Sequence, residues 1–121
     1  MKNCTSIEQS KKLAEILPLE SADMTFCGKY NVITTPYLDS KGSQLTYFMK
    51  DEDITPCWSL AALLELLELP TLLKDSIGKG KTGWMVIHYD VNGMRYDSNY
   101  FDNPIDACYE MIVTLKEKGL M

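Results

Sequence analysis

The feature that most constrains the fold is a leucine-rich segment between two prolines, ITPCWSLAALLELLELP, at residues 54–70. Thr55 precedes the first proline and Pro70 closes the segment, which predicts one helix with Thr55 as its N-cap. Only Glu65 and Glu68 form a polar strip along this helix. A helix that is apolar nearly all round is buried on more than one side, so this one must contact more than one element.

One apolar face of this helix is expected to pack within its own domain. The second face must be buried by another element of the chain or by another protein. The second face consists of Trp58, Ala62, Leu66 and Leu69. The first helix, a second copy of the chain or a partner protein are the alternatives, since large exposed apolar patches mark interaction sites. These four residues are therefore the candidate interaction surface. A small-molecule ligand is not expected, because no convergent polar groups accompany Trp58.

Two further helices are predicted from their caps. Thr5 and a glutamate three residues later have the spacing of a capping box, and the helix that follows ends at Pro18. Near the end of the chain, Asn103 or Asp102 precedes a proline that opens a helix, and Gly119 closes it.

Two hairpins are predicted between these helices. Residues 30–38 and 43–50 are rich in β-branched and aromatic residues and are joined by a segment of turn composition. Residues 83–90 and 94–101 flank an Asn-Gly pair, a strong signal for a tight hairpin. The element order is then α-ββ-α-ββ-α.

This order predicts an α+β fold with one antiparallel four-stranded sheet, built from the two hairpins, and about three helices packed on it. The sequence of hairpin, cap, proline and helix occurs twice, at residues 29–69 and 84–118, which suggests a ββα pseudo-repeat. With 121 residues, of which 45% are hydrophobic, the chain fits a single domain, residues 1–121.

The register of the second hairpin depends on the length of its loop. A two-residue loop would pair Asp90 with Arg95 and His88 with Asp97 on the solvent side. A three-residue loop with a bulge at Gly93 would shift this register. The side predicted to face the core in the two-residue register consists of Met85, Ile87, Tyr89, Met94 and Tyr96.

Cys57 suggests an enzymatic alternative. Its predicted position is the first turn of the leucine-rich helix, where the helix dipole lowers a thiol pKa. His88 is the only histidine, and Asp97 would face it, which gives a constellation of nucleophile, base and orienting group. A buried cysteine and an ordinary cross-strand pair explain the same residues, and nothing in the sequence brings Cys57 near His88. We therefore assign no catalytic residue.

The segment SIGKGKTGW, residues 76–84, looks like the end of a phosphate-binding loop. Such a loop needs a glycine where this chain has Asp75, and it joins a strand to the start of a helix. Here the segment runs into a predicted strand. We therefore predict a connector and no nucleotide site.

The net charge and the cysteine spacing disfavour several kinds of partner and cofactor. The net charge of −5 disfavours nucleic acid and anionic membranes as partners. Four widely spaced cysteines and one histidine predict neither a metal site nor a cofactor. Without a secretion signal or an apolar run of membrane-spanning length, we expect a cytoplasmic protein with reduced thiols.

Three segments carry a resemblance: KLAEILPLESADM, TPCWSLAALLELL and YDVNGMRYDSNYFDNPIDACYEMIVTL. Together they resemble small uncharacterised proteins carried on phages and mobile elements of gut bacteria. The resemblance covers most of the chain. It implies a bacterial, cytoplasmic setting and an accessory role, and it supplies no activity or functional residue.

Three hypotheses follow. The leading one is a small protein-interaction module without a catalytic role, which forms a homodimer or binds another protein. The second is an acidic accessory protein of a mobile element that inhibits a host nucleic-acid-binding enzyme by presenting its negative surface. The third is a thiol-dependent enzyme that uses Cys57 and His88.

Overall fold

The computed structural model of this chain describes residues 3–27, 31–33, 54–68 and 70–121. Its fold is α+β, as predicted. The helices are α1 (Ile7–Ile16), α2 (Leu60–Leu66) and α3 (Pro104–Glu117), with a short 3-10 turn at Leu19–Ser21. The strands are β1 (Met24–Cys27), β2 (Asn31–Ile33), β3 (Ile54–Cys57), β4 (Thr71–Gly78), β5 (Lys81–Tyr89) and β6 (Arg95–Asp97). Among the described residues, no helix is long and apolar enough to cross a membrane.

The strands form two antiparallel sheets of three strands each, in the orders β2-β1-β3 and β4-β5-β6. The predicted single four-stranded sheet is not confirmed. Three strands, β1, β3 and β4, lie outside the predicted hairpins. Strand β1 pairs with β2 and β3, and β4 pairs with β5. Residues 43–50, the second strand of the first predicted hairpin, lie outside the described residues.

The chain divides into two compact units. The N-terminal unit is Cys4–Ala62, and the C-terminal unit is Leu63–Met121 together with residues 1–3. Each unit contains one of the two sheets, and the boundary falls within α2. The single domain and the pseudo-repeat stay predictions.

In the N-terminal unit, α1 contacts β3, and an apolar cluster forms around Cys4, Phe26 and Cys57. The helix begins one residue later than the predicted capping box implies. Ser6 is the N-cap, its hydroxyl accepts the N–H of Gln9, and the Gln9 side chain accepts the N–H of Ser6. The prediction of Thr5 as the cap is therefore wrong by one residue.

The leucine-rich helix also begins later than predicted. Thr55 lies in β3, opposite Phe26, and α2 starts after Ser59, whose hydroxyl accepts the N–H of Ala62 at 3.2 Å. Pro56 is compatible with this strand because, among the described residues, β3 lies at the edge of its sheet, where proline is tolerated. The prediction of Thr55 as N-cap is wrong, because pairing with β1 decides the conformation of this segment.

In the C-terminal unit, α3 packs against β5. Its predicted ends are confirmed: the Asn103 side chain accepts the N–H of Asp106 at 2.9 Å, and Gly119 has a φ of 69°. The N–H of Leu120 donates to the Leu115 carbonyl at 2.8 Å, which closes the helix in a Schellman motif. The buried side of α3 consists of Pro104, Ile105, Ala107, Cys108, Met111, Ile112 and Leu115.

The second hairpin has the three-residue loop. Asp90 donates its N–H to the Met94 carbonyl at 3.0 Å, and Gly93, with a φ of 82°, donates to the Asp90 carbonyl at 3.0 Å. The register is therefore shifted by one residue, so that His88 lies opposite Tyr96. The predicted core side is correct for Met85 and Ile87, which are buried, and wrong for Tyr89 and Met94, which are exposed.

Candidate functional site

Trp58, the first residue of the candidate interaction surface, is fully buried. It precedes α2, and its N–H donates to the Thr5 hydroxyl at 3.2 Å while its carbonyl accepts the N–H of Thr5 at 3.0 Å. Its indole N–H donates to the Ser21 hydroxyl at 2.9 Å. Trp58 thus connects the residues around α1 to the start of α2, and its ring is not on a solvent-exposed face.

Two other members of that surface, Ala62 and Leu66, lie one turn apart in α2. Ala62 is 7% exposed and Leu66 is half-buried. Leu69 lies outside the described residues. The four-residue surface stays a prediction, and one of its members, Leu66, lines the groove described below.

The structure contradicts two features that the thiol-enzyme hypothesis requires: Cys57 in the first turn of a helix and Asp97 opposite His88. Cys57 is fully buried in β3, before the start of α2, so it is not in the first turn of a helix. Asp97 lies opposite Ile87 instead of His88, because of the three-residue loop. Its carboxylate binds Arg95, with 2.7 Å between Arg95 Nε and Asp97 Oδ1. The predicted pairing of His88 with Asp97 is therefore wrong.

The segment that looks like a phosphate-binding loop is the end of a β-hairpin. β4 and β5 pair up to Gly78 and Lys81, and Lys79 and Gly80 form the turn between them. Gly80 has a φ of 70°, a conformation that glycine adopts without the steric cost of a side chain. The segment therefore joins two antiparallel strands, whereas a phosphate-binding loop leads into the first turn of a helix.

A groove in the C-terminal unit brings together residues that are distant in sequence. It has a volume of about 530 Å³, within the range of ligand-binding clefts. Its apolar walls include Leu66 at the end of α2 and Leu115 and Leu120 at the end of α3. Its polar wall includes Glu68, His88 and Asp90. We call this site the His88 groove.

Asp90 has a fixed position in the His88 groove because the hairpin turn holds its carboxylate. Oδ1 accepts the backbone N–H groups of Asn92 at 2.8 Å and Met94 at 2.9 Å. Oδ2 accepts the hydroxyl of Tyr96 at 3.4 Å. The hairpin itself therefore orients the Asp90 carboxylate at the groove, because all three bonds come from residues close to Asp90 in sequence.

The charge of the groove favours a cationic group. Glu68 and Asp90 supply two carboxylates, and none of the described residues that line the groove is a lysine or an arginine. Glu68 adopts a left-handed backbone with a φ of 57° just after the end of α2, which is uncommon for a residue other than glycine. The end of α3 contributes the negative end of its helix dipole.

Exposed apolar side chains lie beside the groove. Tyr89 and Val91 line it and are 55% and 100% exposed. Met94, in the same turn, is 59% exposed. A valine, a methionine and a tyrosine exposed around one hairpin turn form the kind of apolar patch that marks binding surfaces. The sequence analysis did not identify this patch, because it assigned Tyr89 and Met94 to the core.

Clusters of metal-ligating side chains are absent from the described ranges: no group of three or more His, Cys, Asp or Glu residues there is placed to hold a metal ion. In comparisons with known proteins, no family model, no curated protein and no solved structure matches this chain.

Proposed function

We propose that this chain is a protein-interaction module without a catalytic role, and that it binds a partner protein at the His88 groove. The observation that supports the proposal is the exposed apolar patch of Tyr89, Val91 and Met94 at the edge of a concave, negatively charged site. Aromatic residues and methionine are enriched in protein interfaces.

The partner segment that fits this site carries a basic side chain next to apolar ones. Its cationic group lies near the carboxylates of Glu68 and Asp90, and its apolar side chains contact Val91 and Leu120. Electrostatic complementarity of this kind contributes to specificity and to the rate of association more than to affinity. The apolar contacts are then the main source of affinity.

The test compares two variants that introduce the same charge at exposed apolar residues of different units. Val91→Asp places a carboxylate in the patch and leaves Asp90, Asn92 and Gly93 of the turn unchanged. Leu19→Asp does the same in the N-terminal unit, where Leu19 is 39% exposed. Each protein is immobilised, and the partners that it retains from a lysate of the native host are identified and quantified by mass spectrometry.

We expect a partner that the original chain and Leu19→Asp retain equally and that Val91→Asp loses by about tenfold or more, as for an interface residue worth at least 1.4 kcal/mol. Circular dichroism checks that both variants are folded. A partner that is retained equally by all three proteins would show that binding occurs elsewhere.

A further inference from the structure

β4 is the longest exposed sheet edge in the described part of the chain. It has eight residues, Thr71–Gly78, and lies at one side of the sheet β4-β5-β6. Among the described residues, only β5 pairs with it. The side chains of Leu73, Lys74 and Asp75 are exposed to solvent. An edge strand of this length presents a row of backbone groups to which another strand can pair.

The hydrogen bonds of β5 show which backbone groups of β4 face outward. The N–H of Trp84 donates to the Phe101 carbonyl at 2.7 Å and its carbonyl accepts from Phe101 at 2.8 Å, so the backbone of Trp84 faces away from β4. The Val86 carbonyl accepts the N–H of Ser98 at 3.0 Å and also faces away. In an antiparallel pair, residues opposite each other either bond to each other or both face outward.

Leu72 lies opposite Val86 and Lys74 lies opposite Trp84. The backbone N–H and C=O groups of Leu72 and Lys74 therefore point to the outer edge of the sheet, and those of Leu73 point toward β5. This alternation gives the edge a defined set of donors and acceptors, spaced for an antiparallel strand.

From this edge we infer that β4 pairs with β4 of a second copy of the chain, antiparallel, with Leu73 opposite Leu73 of the second copy. A two-fold symmetric antiparallel pair places one residue opposite its own counterpart. If that residue were Lys74 or Asp75, two like charges would face each other, which is destabilising. Leu73, which is 36% exposed, places two apolar side chains in contact instead.

The other positions of this register are also compatible. Leu72 lies opposite Lys74 of the second copy, and both residues direct their backbone groups outward, so they form a hydrogen-bonded pair. Thr71 lies opposite Asp75 of the second copy, where a hydroxyl faces a carboxylate. The result is one sheet of six strands in the order β6-β5-β4-β4-β5-β6. This surface is distinct from the His88 groove, and the inference does not depend on partner binding there.

The first test is the absolute mass in solution, measured by light scattering behind a sizing column over a range of concentrations. We expect twice the mass of the chain. Lys74→Pro removes an outward N–H and leaves the β4–β5 hydrogen bonds in place, whereas Lys74→Ala removes only the side chain. We expect the proline variant to raise the dissociation constant about 5- to 150-fold relative to the alanine variant, as for two lost backbone hydrogen bonds.

The second test determines the register. In the inferred dimer, Leu73 forms a non-hydrogen-bonded pair, whose Cα atoms are about 4.5 Å apart and within disulfide range. With oxidised glutathione as the oxidant, two Leu73→Cys thiols form one disulfide and the glutathione is reduced to two thiols. We expect a covalent dimer for Leu73→Cys and none for Leu72→Cys on non-reducing gels.

A chain that is monomeric at every concentration overturns the inference, as does a dimer that Lys74→Pro leaves intact or a cross-link that forms equally well at Leu72. Circular dichroism checks the fold of each variant. Val91→Asp leaves the dimer unchanged and Lys74→Pro leaves the Val91 patch unchanged, so failure of the dimer is distinguishable from failure of the proposed function.

Discussion

The two sheets have the same number of strands but are assembled from the sequence in different ways. In the C-terminal unit, consecutive strands are joined by loops of two and three residues, so that β4, β5 and β6 form a meander. In the N-terminal unit, β1 pairs with the nearby β2 and also with β3, whose paired residues lie 27 to 33 positions further along the chain. Local turns alone join the strands of the first sheet, whereas the second sheet also needs a contact between distant segments.

The distant contacts of the N-terminal unit converge on the segment between β3 and α2. Trp58 bonds to Thr5 and Ser21, and Ser59 bonds through its N–H to Asp23 at 2.8 Å and through its hydroxyl to the other Asp23 oxygen. Among the described residues, Trp58 and Ser59 therefore connect distant parts of this unit through side-chain hydrogen bonds. We expect substitutions at these two residues to have larger effects than matched ones in the C-terminal unit.

The largest effect is expected for Trp58→Ala. Removing a fully buried tryptophan costs about 3–5 kcal/mol of the free energy of unfolding, because the cavity only partly collapses. Leu115→Ala, at a fully buried position of α3, is the matched change in the C-terminal unit and costs about 2–5 kcal/mol. Urea unfolding followed by circular dichroism gives both values.

Hydrogen exchange localises the two effects. Trp58→Ala should increase exchange in β1 and β3 more than in β5, and Leu115→Ala should do the reverse. A cost below about 1 kcal/mol for Trp58→Ala, or an increase that is equal in both sheets, would contradict the difference that we draw between the units.

An intermediate effect is expected from alkaline pH acting on the C-terminal unit. Burial raises the pKa of the Cys108 thiol from 9.0 to about 12. The folded chain then keeps a proton that the unfolded chain loses, so stability is fully present below pH 9 and falls as the pH rises from about 9 to about 12. The slope from this one group is at most about 1.4 kcal/mol per pH unit.

Urea unfolding at several pH values between 8 and about 11 measures that slope for the original chain and for Cys108→Ala. Alanine lowers stability at every pH by leaving a cavity, but it removes the thiol, so its profile should be flatter over this range. The tyrosines are the same in both proteins. Parallel profiles would show that Cys108 does not contribute.

The smallest effects are expected at the helix caps. Each unit contains a capping residue that can be replaced by alanine, so the two losses of stability can be compared directly. Asn103→Ala removes a local cap of α3 and should cost about 1 kcal/mol. Ser59→Ala removes the cap of α2 and also the hydroxyl that binds Asp23, so it should cost about 2 kcal/mol. Thermal or urea unfolding measures both, and a larger loss for Asn103→Ala would reverse the order that the comparison predicts.

The parts of the fold that could be predicted from the sequence depend on local chemistry. The start of α3 at Asn103 and its end at Gly119 are confirmed, since caps and helix-ending glycines act within a few residues. The loop of the β5–β6 hairpin also had a local signal. Asp90 at the first position of a turn and Gly93 at the fourth are typical of a type I turn followed by a bulge, and that pair distinguishes three loop residues from two.

The parts that could not be predicted depend on contacts between distant residues. Thr55 followed by a proline has the same local pattern in a helix cap and in an edge strand, and only pairing with β1 distinguishes them. The candidate site has the same difficulty. Glu68, His88 and Leu120 are brought together by the ends of three elements, and no spacing in the sequence relates them.

β6 is only three residues long, Arg95–Asp97, and it forms the other side of its sheet. An incoming chain finds few backbone groups there, and the Arg95–Asp97 ion pair occupies two of its three side chains. The two edges of this sheet therefore differ: β4 has eight residues available for pairing with another strand, whereas β6 has three. In the dimer that we infer, strand addition at β4 would therefore end after a single symmetric step, which would give a closed particle of defined size instead of a fibre.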